Sequence, residues 1–330
     1  GVGALGQLTG PGLGQIGDAY SRVDIPTFGF NYTLSPTFLV DGVFGYTRFR
    51  NEATGPDYGK NWGSEVWGIP GTNGGKAFAN DLRYSGQPCI NNGFTAWGNC
   101  TSSNPNFYAD RSYTYTTNFS KIHGAHEFRF GYDVIRHALN HWQPELANPR
   151  GSLTPTGNAT VLNGQVARTS HQYAAGLLDI LGSADKSVQF LQMRTIEWQN
   201  GLYLRDRWQV NRKLTLNLGL RWEYYPLMTR GDGRGLERWD PSTNIVTIGG
   251  LGNIPTANGL SVSKKLFAPR VGLAYRVDDK TVIRSGYSVS YNPMVISRPL
   301  RGLYPATIAA SCSRCWRASR TWRHHSENSA

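Results

Sequence analysis

The segment from Trp198 to Tyr225 constrains this chain more than any other. Leu214, Leu216, Leu218, Leu220, Trp222 and Tyr224 alternate without a break with Thr215, Asn217, Gly219, Arg221 and Glu223. Successive side chains of a strand point to opposite faces, so this stretch reads as a strand with one apolar and one polar face. The stretch before it carries a looser version of the pattern, with Trp198, Leu202, Leu204 and Trp208 opposed to Gln199, Gly201, Tyr203, Arg205, Arg207 and Gln209. Val210-Asn211-Arg212-Lys213 joins the two as a hairpin. Each arm has about ten residues or slightly more, enough for a tilted strand to cross a bilayer. Aromatic residues close both ends of the apolar stripe, Trp208 beside the tight turn and Trp222 and Tyr224 at the far end. A membrane β-barrel asks for both features, whereas strands of soluble sandwiches are usually shorter and rarely carry such paired aromatic ends.

Composition agrees with that reading. The 330 residues include 39 Gly, 10 Trp, 17 Tyr and 13 Phe, and only 17% are charged, which suits long strands joined by polar Gly/Asn loops. No apolar run reaches the roughly 18 residues that a transmembrane helix needs. A mean hydropathy of -0.42 is compatible with a membrane barrel, because half of each strand faces a polar interior. The formal charge of +12 invites a nucleic-acid partner, but none is expected: part of the excess sits in the last twenty residues, with four Arg against one Glu, and the rest is dispersed along strands and turns.

The same alternation recurs along the chain. Phe28, Phe30, Tyr32 and Leu34, then Phe38, Val40, Phe44 and Tyr46, form a first hairpin over about 27–50 around Ser35-Pro36-Thr37. Tyr113, Tyr115 and Phe119 pair with Phe128, Phe130, Tyr132 and Val134 across a short turn at His123-Gly124-Ala125. The Trp198 hairpin is the third, and Phe267, Val271, Leu273 and Tyr275 join Ile283, Tyr287, Val289 and Tyr291 through Asp278-Asp279-Lys280 as the fourth. Between hairpins lie excursions at 51–110, 140–195 and 226–266, the second with one short helix expected over 173–181. Short turns at one end and long loops at the other are the pattern of an outer-membrane barrel with short periplasmic turns and long external loops. The fold expected is therefore all-β, an antiparallel transmembrane β-barrel, partial, of about eight strands. Residues 1–26 read as a Gly-rich irregular segment, 27–292 as the barrel part, and 293–330 as an irregular, non-native tail, because strand alternation stops there as it does after a reading-frame slip. Beginning at Gly1 without an initiating Met, the chain reads as a fragment or a processed product.

Candidate chemistry is sparse. Cys89 and Cys100 bracket one polar loop and would staple it in an oxidising compartment. Gly10 to Gly17 has a superficial likeness to a phosphate loop but lacks a preceding strand and a following Lys-Ser/Thr. Cys312, Cys315, His324 and His325 have partly zinc-like spacing, with a His-His adjacency that suits a finger poorly. His123 and His126 flank a turn, and His137 and His141 lie near a strand end; Glu145, Asp179 and Asp185 sit in loops without an identifiable partner. No Gly-x-Ser-x-Gly elbow or His-Glu-x-x-His helix is present, so no catalytic, cofactor or metal residue is assigned and the chain reads as a non-enzyme. Recognition would fall to the external loops. There Trp62, Trp67, Phe78, Tyr84, Phe94, Trp97, Phe107 and Tyr108 suit sugars, peptides or large apolar surfaces, or pack the loops on one another. Asn217, Arg221, Glu223, Arg270, Arg276 and Arg284 would line the polar interior.

The hairpins also resemble a known family. GLYLRDRWQVNRKLTLNLGLRWEYYP is similar to the barrel hairpin of Oar-like TonB-dependent outer-membrane receptors, and LFAPRVGLAYRVDDKTVIRSGYSVSYN to the hairpin that follows it in that family. GAHEFRFGYDV and SPTFLVDGVFGYTRF resemble two earlier strands, so the resemblance covers about 27–292. Arg205 and Arg207 stand where Gln and Asp are usual, and Trp222 replaces a Tyr. The resemblance implies a roughly 22-stranded barrel closed by a plug, outer-membrane lipid around it, and a TonB-like energy-coupling protein as partner. It further implies uptake of a scarce solute, such as a glycan fragment, a peptide or a chelate, with this chain only a segment that is not competent alone. A rival expectation is an autonomous eight-stranded barrel acting as an adhesin or structural protein.

Overall fold

A computed structural model describes residues 18–94, 96–100, 104–143, 148–189, 193–293 and, for the backbone alone, 307–312. In chain order the strands are β1 (Asp18–Asp24), β2 (Thr27–Ser35), β3 (Phe38–Thr54), β4 (Cys89–Asn91), β5 (Ala96–Trp97), β6 (Asn106–His123), β7 (His126–Trp142) and β8 (Ser152–Pro155). They continue as β9 (Leu181–Gln189), β10 (Met193–Gln209), β11 (Leu214–Tyr224), β12 (Thr229–Arg230), β13 (Glu237–Asp240), β14 (Ile245–Ile248), β15 (Leu266–Arg276), β16 (Val282–Ser288) and β17 (Thr307–Cys312). Among the described residues one α-helix, α1 (Thr169–Leu177), starts and ends earlier than the leucine cluster suggests; it stops where Asp179 takes a positive φ of 55° and Leu181 opens β9.

All four expected hairpins are present, as β2–β3, β6–β7, β10–β11 and β15–β16. They assemble into one antiparallel sheet in the order β1–β3–β6–β7–β10–β11–β15–β16, with β2 also on β3 and β12 on β10. Its central strands run 17 or 18 residues, well beyond an ordinary strand.

The eight-stranded barrel expected from the pattern is corrected by this sheet. Among the described residues β16 pairs with β15 alone and meets neither β1 nor β2, so the two edges stay apart. The sheet is neither closed nor strongly curled. Strong bending needs bulges or glycine kinks; the β3–β6 and β7–β10 ladders run uninterrupted, and the β6–β7 ladder keeps one register although pairing lapses at Ala109 and Asp110. Closure of eight strands also leaves an interior just wide enough for side chains, and here the polar face carries Arg129, Tyr203, Arg205 and Arg221 side by side. The autonomous small barrel falls with this correction.

Register defines the two faces. Outward lie Phe44, Tyr115, Phe130, Leu202, Leu204, Leu218, Leu220, Val271 and Tyr287, all exposed, Leu204 at 53% and Tyr287 at 66%. The opposite face is polar and better covered, with Asn118 8% and Glu223 9% exposed. A water-soluble protein buries its apolar face; this sheet does the reverse. From Trp198 to Trp208 the outward stripe spans about ten steps of ~3.3 Å, which at a tilt near 40° projects to about 25 Å, the height of a lipid-facing band. Aromatic pairs mark both margins: Tyr46 on Tyr113 at 5.2 Å and Trp222 on Tyr224 at 5.9 Å at one, His126 on Trp208 at 5.3 Å at the other.

The long excursions beyond the first margin are folded. β17–β9–β8–β4–β5 form a second sheet, with β4 parallel to β8 through Cys89 opposite Ser152. β13 and β14 make a separate hairpin.

Candidate functional site

Two features concentrate polar and aromatic side chains: the polar face of the large sheet and the cap built from the first two excursions.

On the polar face, rows of side chains cross the strands at one height. Asp41, Asn118, Gly131, Tyr203, Arg221 and Ala268 are successive register partners from β3 to β15. Gly131 lets its neighbours meet: a Cβ there would stand 2.9 Å from the Tyr203 ring and 2.7 Å from Asn118 Oδ1. Tyr203 thus reaches over β7 and donates its hydroxyl to Asn118 Oδ1 at 2.6 Å, while Asn118 Nδ2 donates to Asp41 at 2.7 Å. Gly201 does the same for Arg221, whose guanidinium lies over the bare backbone. From there Arg221 donates to Asp133 at 2.7 Å and to Glu223 at 2.9 Å. Arg129, Arg205, Arg221 and Arg270 line an open groove of about 640 Å³ with Tyr203 and Asn217. Arg205 and Arg207 share Glu127 at 3.4 and 3.3 Å, whereas Arg270 and Arg284 have no ion pair among the described residues. The surface is therefore rigidly networked and basic.

The cap has a polar core. Asn73, fully buried with φ 54°, donates through Nδ2 to the carbonyls of Tyr84 and Gly86 at 2.9 and 2.8 Å and accepts from the Ser64 amide at 3.1 Å. The buried Tyr84 hydroxyl donates to the Gln189 carbonyl at 2.9 Å and accepts from its amide at 3.0 Å; burial pushes its pKa up to about 12. Lys186 donates from Nζ to the carbonyls of Gly71, at 2.8 Å, and Asn73, and burial pushes it down to about 8. Burial likewise pushes the Arg150 guanidinium down to about 10, against the opposing pull of Asp57. Cys89 and Cys100 form a disulfide across the loop that their spacing singled out.

The loop aromatics divide into two groups. Phe78 packs on Tyr84 at 5.0 Å within the cap, Tyr84 on Trp142 at 5.6 Å joins the cap to the end of β7, and Phe107 on Trp142 at 6.2 Å and Tyr108 on His141 at 4.2 Å pair the ends of β6 and β7. Trp67 and Trp97 instead remain exposed, as does most of Phe94 beside Tyr173. Tyr58 is exposed as well, and Lys60 lies 4.7 Å over the Trp62 ring.

The histidines are brought to separate partners: His126 to Asp206 at 2.7 Å, His137 to Ser112 at 2.7 Å and His141 to Asp110 at 2.9 Å. Asp179 ends α1, and Asp185 lies within β9, in register with Ser152. Arg276 turns to Asp279 at 2.6 Å at the foot of its hairpin. Gly10 to Gly17, Glu145, Cys315, His324 and His325 lie outside the described residues. Sequence reasoning missed the cap's buried Asn73, Lys186 and Arg150, whose only signal was their place in Gly- and Pro-rich loops.

Among solved structures, the chain is similar to the ferric-catecholate import receptor Fiu of E. coli K12, with a TM-score of 0.39 and 12% identity over 82% of this chain and 33% of that one. It is similar also to the ferric citrate transporter FecA, at 0.33 and 10% over 79% and 26%. The ferripyoverdine receptor of the Pseudomonas aeruginosa outer membrane gives 0.33 and 11% over 83% and 36%. The chain thus spans between 26% and 36% of the length of these proteins. No curated protein sequence matches it. Residues 4–323 match the family described as the outer membrane beta barrel domain, and with its apolar face turned outward the chain belongs to that family of the outer membrane.

Proposed function

We propose that this chain is a wall and external-cap segment of a TonB-dependent receptor of the Oar-like type, which takes up a scarce solute across the outer membrane. The observation that supports the reading most is the reversed burial of the large sheet: apolar side chains face out, and an interlocked polar row faces in. A solute pathway needs such an inner surface, and lipid needs such an outer one. The cap at the long-loop end supplies a held platform on which Trp67, Phe94 and Trp97 stay open. Flat aromatic faces suit glycan fragments, peptides or chelates with apolar rims. Arg270 and Arg284 leave the inner face with unbalanced positive charge, complementary to an acidic plug surface. In lipid the two sheet edges also require strand partners, since unpaired backbone groups there cost several kcal/mol each.

The test uses the receptor expressed in the outer membrane with its native flanking sequence. Solutes are screened by quenching of tryptophan fluorescence, and the best is followed as a labelled compound. Accumulation should collapse when a protonophore removes the inner-membrane gradient. Accumulation indifferent to the gradient would mean a passive channel and would end the reading.

A further inference from the structure

Just above the aromatic margin at the cap end, the outward face carries paired like charges. Arg48 of β3 stands in register with Arg111 of β6, and Arg22 of β1 with Arg50 of β3. Strand parity puts all four on the lipid side with Tyr46 and Tyr113. Directly opposed positions bring Cβ atoms to roughly 4.5–5.5 Å, where like charges are destabilising. Arg136 of β7 joins from the row below, its guanidinium 5.7 Å from the ring centres of both Tyr113 and Trp198.

Three carboxylates, Asp18, Asp24 and Glu52, share this face. Asp24 binds Arg22 at 2.8 Å and Glu52 binds Arg50 at 2.9 Å, while Asp24 also lies opposite Arg48 in register. Five arginines against three carboxylates leave the group cationic. Arg111 and Arg136 have no ion pair among the described residues. Such a pattern, on the face that meets lipid and at headgroup depth, calls for external anions.

We propose that Arg48, Arg111 and Arg136 bind an outer-leaflet lipid through two phosphates on its headgroup. Guanidinium forks match phosphate oxygens in bidentate geometry. The three arginines sit on adjacent strands and span roughly 9–10 Å, wider than one phosphate and suited to two. Tyr46, Tyr113 and Trp198 fix the depth at which the headgroup meets them, as aromatic belts do at membrane interfaces. The inference rests on the wall's orientation in the membrane, and uptake plays no part in it.

The full chain in neutral detergent is titrated, with native mass spectrometry as readout, against diphosphorylated lipid A, its dephosphorylated form, phosphatidylcholine and inorganic phosphate. Saturable binding is expected for the diphosphorylated lipid only. Triple substitution R48Q/R111Q/R136Q should weaken it by about 100-fold, the product of a roughly five-fold contribution from each basic residue near an anionic surface. Removing the same charges at the far turns, as R212Q/K280Q, should leave binding unchanged. Because the triple substitution relieves repulsion, its thermal midpoint in lipid-free detergent should hold or rise, which separates lost binding from lost folding. Equal binding by the triple variant, equal binding of phosphatidylcholine, or displacement of the lipid by inorganic phosphate at like concentration would overturn the site. Failure of the protein with its native flanking sequence to enter bilayers would overturn the orientation itself.

Discussion

Tyr203 and Asn118 belong to strands that are not neighbours, yet the Tyr203 hydroxyl donates to Asn118 Oδ1 at 2.6 Å across the intervening Gly131. The contact ties β6 to β10 over β7 and continues to Asp41 through the Asn118 amide. One residue without a side chain thus holds three strands in a common lateral row.

Gly131→Val should break that row. A branched side chain there would displace the Tyr203 ring and leave Asn118 half satisfied on a covered face. The expected loss is about 1–3 kcal/mol of unfolding free energy, read as a lower urea midpoint in detergent micelles. Tyr203→Phe in the same assay should lose less, since it removes the bond without the clash.

Charge on the outward face should be costly and charge on the inner face cheap. Leu204→Arg places a cation near the middle of the lipid-facing stripe and should cost about 2–4 kcal/mol of folding into bilayers. Thr215→Arg on the opposite face should change the same titration by under about 1 kcal/mol. Equal costs would mean that the faces are not distinguished by lipid.

Much of this was legible in the residues. Strict alternation along Leu214–Tyr224 and the turn at Gly124 located the hairpins because period and turn chemistry are local properties. The open edges of the sheet were not legible, since closure depends on how far ladders bend over many strands. β1 was hidden as well: Tyr20, Arg22 and Asp24 alternate with Ala19, Ser21 and Val23 without an apolar side, and the strand exists because β3 extends to Thr54 and offers it a ladder. The cap eluded pattern reading for another reason. Strands as short as Ala96–Trp97 show no period, and their core is closed by Asn73, Tyr84 and Lys186 bonding to loop carbonyls. Cys89 and Cys100 were the one part of it that spacing announced.

Reducing the disulfide should loosen the cap and spare the wall. Closing a loop of this length removes on the order of 3 kcal/mol of chain entropy from the opened state. In hydrogen-exchange mass spectrometry, reduction should speed exchange in β4, β5 and β8 and leave β6, β7, β10 and β11 protected. Equal acceleration in the wall would show that cap and sheet open as one unit.

The cap should also tighten as pH rises. Lys186 titrates near 8 when folded against an ordinary 10.5, so between those values the unfolded cap binds more protons than the folded one. Stability therefore rises with pH across about 8 to 10.5 and is lower below it. Nicking of the cap by subtilisin, normalised to an unfolded substrate, should be slower at pH 9.5 than at pH 7.5. Lys186→Met should remove that difference.

The central claim is that the sheet turns its apolar face to lipid and its polar face inward. Spin labels placed singly at positions 218 to 221, with the four native cysteines changed to serine, test it in bilayer-reconstituted protein. Leu218→Cys and Leu220→Cys labels should collide with dissolved oxygen and be shielded from a water-soluble nickel chelate, with Gly219→Cys and Arg221→Cys labels showing the reverse. Uniform accessibility, or the opposite alternation, would contradict the account.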